Sequence, residues 1–297
     1  MSAATLELPA HPPSPLPVIH AVPELAATGQ RAAWYADMKA VLQVPWMGVV
    51  TMAYTHYPTF FATLWDGLRP LCASQAYVDA GREIRRAAED RVAADLAPPD
   101  IITRLRAAGY GEGEIDQIRE MVEIFSHGNT TYYGLVMMAT LLVEGHEIGA
   151  QRDPGPPAGR HGPEATVPLV LIEPHHADEP TRQVYNDIKN RLGLPFVNTD
   201  YRALARWPSY FALAWRDLRP VAGGDAHRAI ATAIHDTARD LALGLPNPAG
   251  LTSDALRQAA AADAPLAEVQ AMCRLFHVLI PGLIANVAFF RAQLNGL

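Results

Sequence analysis

The chain has 297 residues, 49% of them hydrophobic, enough to bury one large core or two smaller ones. A net charge of −7 with no long basic run argues against nucleic acid, whose phosphates need clustered Lys and Arg. Two isolated cysteines, Cys72 and Cys273, exclude a disulfide framework, a Cys-rich zinc site and a C-x-x-C redox pair, and they suit a reducing cytoplasm.

Residues 1–30 read as a Pro-rich arm, extended along the body or partly disordered. Five prolines fall between His11 and Pro23, with no basic start and no continuous apolar stretch, so the segment is not a signal peptide. Residues 31–150 then carry helical periodicity. Their most apolar run, "YYGLVMMATLLV", is shorter than the roughly 18 residues of a membrane span. Residues 151–180 include "DPGPPAGRHGPEATVP", a Pro/Gly-rich linker.

Residues 181–297 are helical again. "EPTRQVYNDIKNRLG" places Val184, Ile188 and Leu192 at a spacing of four and stops at Gly193. "PSYFALAWRDLRP" starts with proline in the first turn and ends at Pro220. "AHRAIATAIHDTARDLALGLP" aligns Ile230, Ile234 and Leu241, "SDALRQAAAADAPLAEV" offers Ser253 as a cap, and the long last helix carries Pro281, where a kink is expected. Strand patterns are almost absent, so the fold class is all-α.

The two halves match each other. At a shift of 150, Tyr35, Asp37, Lys39, Leu42, Pro45, Ala53, Pro58, Phe61, Ala62, Trp65, Leu68, Arg69 and Pro70 meet identical residues, from Tyr185 to Pro220. Farther on, at a shift of 151, Leu105, Arg106, Met121 and Phe125 meet Leu256, Arg257, Met272 and Phe276. Residues 31–150 and 181–297 therefore read as tandem helical repeats, expected to pack as an intramolecular pseudo-dimer with a pocket at its axis.

Differences between the copies then point to chemistry, because packing positions should stay apolar in both. Asp200 stands where the first copy has Val50, and Asn198 and Thr199 replace Gly48 and Val49. Conversely, His127, Gly128, Asn129 and Thr130 face Val278, Leu279, Ile280 and Pro281. Two complementary departures from symmetry fit one site that draws a group from each copy. The plain alternatives are a helix cap for "NTD" and a glycine helix break for "SHGN". Other signals are weaker. His146 with Glu144 and Glu147, or the pair His175-His176, lack metal-ligand spacing, and no G-x-S-x-G, G-x-G-x-x-G or P-loop is present.

"VPWMGVV" after a Tyr-x-Asp-x-Lys helix, "FSHGN", and "TDYRALARWP" together resemble the group I non-stereospecific 2-haloacid dehalogenases of the DehI type, over nearly the whole chain beyond the arm. The resemblance implies an all-α pseudo-dimer with a knotted backbone. It implies hydrolysis of D- and L-2-haloalkanoic acids to 2-hydroxy acids with inversion, by direct attack of an activated water, with no ester intermediate and no cofactor. By the same resemblance Asp200 is the catalytic aspartate and Asn129 the amide that holds the water. Trp46 is the pocket wall and Thr199 the small hydroxyl residue before the aspartate.

Val49 stands where the family often has phenylalanine, which would widen the pocket. Val78 and Ser74 replace a family Glu and Thr, and "GLPFVN" replaces the usual lead-in to the aspartate. The expected partners are a small halogenated acid and water, without nucleic acid or membrane, and a homodimer is compatible with the sequence. Two rivals fit the same sequence, a carboxymuconolactone-decarboxylase-like helical enzyme and a helical small-acid-binding relative without catalysis.

Overall fold

Asp178 opens a helix because its carboxylate accepts the Thr181 N–H at 2.9 Å, and Pro180 fits the first turn, where its missing N–H is no loss. Gly193 closes the same helix with φ at 65°, a left-handed value that glycine adopts without strain. The computed structural model describes residues 6–295, and among these it builds twelve α-helices and no strand beyond an isolated Ser74–Pro157 bridge. The first half holds α1 (Gly29–Leu42), α2 (Val49–Tyr54), α3 (Pro58–Cys72), α4 (Gln75–Leu96), α5 (Ile102–Ala107) and α6 (Glu112–Val143). The second holds α7 (Glu179–Leu192), α8 (Thr199–Leu204), α9 (Pro208–Leu218), α10 (Asp225–Gly244), α11 (Ser253–Asp263) and α12 (Leu266–Asn295).

Residues identical in the two halves make identical bonds. In the first, Asp37 Oδ2 on α1 accepts from Trp65 Nε1 at 2.8 Å and from Arg69 Nε at 2.7 Å on α3. In the second, Asp187 Oδ2 on α7 accepts from Trp215 Nε1 at 2.8 Å and from Arg219 Nε at 2.6 Å on α9. The hydroxyl of Tyr35 donates to the Val22 carbonyl, and that of Tyr185 to the Ile172 carbonyl. Each set pins two helices, and the Tyr35 bond also lays part of the N-terminal arm on the body.

The arginines hold the carboxyls of Asp37 and Asp187 below the usual aspartate range. A depressed pKa contributes stability that is present above the unfolded value and lost as pH falls through the folded one. Asp37→Ala and Asp187→Ala each strand a buried indole N–H. Each should cost about 2 kcal/mol at pH 7, and the deficit against wild type should shrink below about pH 4. Thermal melts from pH 7 to pH 3 read both effects.

By contact the chain forms two compact units that are not the two sequence copies. One comprises Met1–Ile84, Gly128–Gly162 and Ile234–Pro281, and the other Arg85–His127, Pro163–Ala233 and Gly282–Leu297. Each of the long helices α4, α6, α10 and α12 contributes one segment to each unit. In the first unit α3 packs on α11, where Gly67 admits Leu251, and Tyr54 meets Phe60 and Phe276 edge-on. In the second, Tyr185, Phe211 and Tyr201 form the aromatic centre. There Arg85 and Arg291 share Glu89 and Glu123.

Three local expectations change. The cap of α11 is Thr252, whose hydroxyl accepts the Ala255 N–H, while Ser253 is already helical and donates instead to the Leu142 carbonyl. The "SHGN" segment is no break, because α6 runs through it as helix. Finally, α12 is long and apolar enough by length and composition to cross a membrane, although no single uninterrupted apolar run suggested it. Its apolar window is 83% buried within the protein, as in a core helix.

Candidate active site

The first unit holds Trp46, Val49 and Asn129. Trp46 and Gly48 lie just before α2 and are tied to α6 by one tyrosine. The hydroxyl of Tyr132 donates to the Trp46 carbonyl at 2.7 Å and accepts the Gly48 N–H at 3.0 Å. A Cβ at Gly48 would stand 3.1 Å from the Tyr132 ring, tighter than ordinary van der Waals contact. The indole of Trp46 lies edge-on to Tyr132, with centroids 5.7 Å apart, and covers Gly128 so closely that a Cβ would fall 2.1 Å from its Cη2. Asn129 is the next residue of α6 and is buried, and Val49 is half-buried at the first position of α2. The glycine that looked like a helix break is thus the seat of the tryptophan. Ser74 turns the chain into α4, donating to the Leu71 carbonyl, and Val78 is buried one turn on.

The second unit holds Thr199 and Asp200, the first two residues of α8. Asp200 is only 2% exposed, and burying a carboxylate is costly enough to need a reason. Asn198 occupies the cap position but makes no side-chain cap bond, and its buried Oδ1 has no partner. Asp200 is therefore not the cap. Thr199 Oγ1 accepts from Arg202 Nη2 at 3.2 Å, which leaves the hydroxyl proton to donate. Arg202 commits its charge to Glu173, with Nη1 to Oε1 at 2.6 Å.

Behind α8 lies a buried polar chain that helix periodicity did not reveal. Asn286 Nδ2 donates to the Tyr201 hydroxyl at 2.8 Å, and Asn286 Oδ1 is 2.7 Å from His227 Nε2. An amide oxygen only accepts, so Nε2 of His227 carries the proton. Burial pushes the imidazole pKa down despite that bond, and burial likewise pushes the Tyr201 phenol up.

His277 and the two cysteines compete poorly for base or nucleophile. His277 is pushed down to about 3 by burial and by its neighbour His235, and both cysteine thiols are pushed up to about 12 by burial. Among the described residues no three His, Cys, Asp or Glu side chains are grouped to hold a metal ion.

No protein-family model matches the chain. Individual proteins do. It is 45% identical over 254 residues to an (R)-2-haloacid dehalogenase of Rhizobium sp. (strain NHG3), covering 84% of this chain and 96% of that protein. It is 26% identical over 239 residues to a configuration-inverting 2-haloacid dehalogenase of Alcaligenes xylosoxydans xylosoxydans, covering 77% and 78%. A solved D-2-haloacid dehalogenase in complex with L-LA superposes with a TM-score of 0.88 at 33% identity, over 97% of this chain and all of that one. The fold and these relatives define a hydrolase of carbon–halide bonds. The chain belongs to the 2-haloacid dehalogenase family.

Proposed function

We propose that this protein hydrolyses 2-haloalkanoic acids to 2-hydroxyalkanoic acids with inversion at C2, using a water activated by Asp200. The observation that carries the reading is the buried carboxylate of Asp200, placed at the start of α8 where the matching helix α2 has Val50. Water oxygen forms the new bond to C2 as the carbon–halogen bond breaks. Halide departs with the bonding electrons and the water proton passes to Asp200. Halide needs no proton to leave, so one general base suffices.

The family resemblance gives Asn129 the role of directing the water, which converts proximity into rate, and gives Trp46 and Val49 that of apolar wall. The Thr199 hydroxyl is the donor for the substrate carboxylate. It is favoured over Arg202, whose charge is already answered by Glu173.

The family resemblance implies turnover of both enantiomers, and the (R)-2-haloacid dehalogenase at 45% identity supports the R series as substrate. Chloride release from R- and S-2-chloropropionate measures the range. R alone would confine the enzyme to that series, both would extend it, and neither would overturn the dehalogenase reading.

Inversion does not identify the nucleophile. Attack by Asp200 itself, followed by hydrolysis at the ester carbonyl, gives the same product configuration. A single turnover in heavy-oxygen water separates the routes. Direct attack labels the hydroxy acid, whereas an ester route labels Asp200 first.

A further inference from the structure

A six-residue helix cannot hold its own orientation in water, so α8 points where its tertiary anchors aim it. The two copies anchor this helix differently. In the first unit the tie comes from outside α2, as the Tyr132 hydroxyl on α6 grips the Trp46 carbonyl and the Gly48 N–H. At a shift of 151, Leu283 replaces Tyr132 and that grip has no counterpart. In the second unit the tie starts within α8 itself. Tyr201, fully buried, reaches Asn286 on α12, which in turn meets His227 on α10.

All three residues are particular to this copy. Tyr201 faces Thr51, and His227 faces Tyr77, at a shift of 150, while Asn286 faces Leu135 at 151. The buried polar chain therefore appears only in the copy that carries the carboxylate. A buried chain of three polar side chains is a poor means of gaining stability, since apolar residues of equal volume do as well or better. What it supplies is direction.

We infer that His227, Asn286 and Tyr201 are positioning residues that fix the rotation of α8 and so aim the Asp200 carboxylate. The inference rests on Asp200 being the general base. Residues 200 and 201 are successive on one helix, about 100° apart, so tethering the tip of Tyr201 sets the direction of its neighbour. His227 donates to Asn286 Oδ1, which turns the amide so that Nδ2 faces the Tyr201 hydroxyl. Gly282, one turn before Asn286 on α12, lies against His227, and a Cβ there would be 3.5 Å from its Cε1.

The test measures kcat and KM separately for chloride release from R-2-chloropropionate. Tyr201→Phe keeps the ring and removes the tether. It is expected to lower kcat about tenfold while KM stays within about twofold, because a misaimed base slows the chemical step more than it weakens binding. Tyr210→Phe is the control. Tyr210 is a buried tyrosine of the same unit whose hydroxyl has no partner, so its loss should leave kcat unchanged.

Asn286→Leu should reproduce the defect of Tyr201→Phe, and the double variant should be no slower than the slower single, since both break one chain. His227→Gln, which keeps an N–H donor, should retain most of the kcat that His227→Phe loses. Wild-type kcat in Tyr201→Phe, or losses that multiply in the double variant, would overturn the inference. Asp200→Asn run alongside distinguishes the two failures. If it still turns over, the base assignment falls and the inference with it. If it is inactive while Tyr201→Phe matches wild type, only the inference falls.

Discussion

Asp200→Asn is expected to reduce chloride release by about a thousandfold, with the folded state intact. The magnitude follows from what a positioned general base contributes, about 10² to 10⁴ in rate. An amide is nearly isosteric with a carboxylate and can still hold a water, yet it cannot take the proton as the carbon–oxygen bond forms. The substitution is close to isosteric, so the thermal midpoint should change little while kcat collapses. A steady midpoint with lost rate separates loss of chemistry from loss of fold. Retention of more than about a tenth of wild-type kcat, in protein verified free of wild type, would move the base to another residue. Basicity gives the buried histidines little standing, since burial lowers the pKa of His227, His235 and His277 and weakens each as a proton acceptor.

Why Asp200 was visible in the sequence, and its supports were not, follows from the physics of each. Helix existence is written in apolar spacing, and Gly193 and Pro208 mark an end and a start, glycine because it reaches left-handed φ without strain and proline because its ring fixes φ. The carboxylate was legible because a second copy of the unit showed valine at that position. The same comparison contains Tyr132 against Leu283 and Asn286 against Leu135, but those contrasts acquire meaning only when the hydrogen bonds are known. A tyrosine or an asparagine on an apolar helix has many innocuous explanations, whereas a buried aspartate has few. The compact units were not legible at all. Contact groups residues 85–127 with 163–233, and repeat boundaries follow sequence similarity, which is blind to how long helices distribute their contacts. Gly128 can pass for a flaw in a helix for a related reason. Glycine weakens a helix by about 1 kcal/mol in isolation, and only the indole lying on it shows why this helix carries one.

Gly128→Ala is accordingly expected to destabilise the protein, by about 1 kcal/mol net, although alanine is the better helix former. Two effects of opposite sign compete. Alanine gains about 1 kcal/mol of helix propensity within α6. Against this, its Cβ would stand 2.1 Å from Cη2 and 2.8 Å from Cζ3 of Trp46, well inside van der Waals contact. The indole cannot swing aside cheaply. It is buried, it packs edge-on to Tyr132, and its backbone carbonyl is held by the Tyr132 hydroxyl. Overpacking of this kind costs about 1 to 3 kcal/mol, so the clash outweighs the propensity gain. Because Asn129 is the neighbouring residue, kcat should fall as well, by about tenfold or more. Trp46→Phe supplies the decisive background, since phenylalanine lacks the two atoms that collide. There Gly128→Ala should raise the thermal midpoint, the propensity term acting alone. An equal loss of stability in both backgrounds would mean that Trp46 is not what the glycine accommodates, and the tryptophan's seat on α6 would have to be assigned elsewhere.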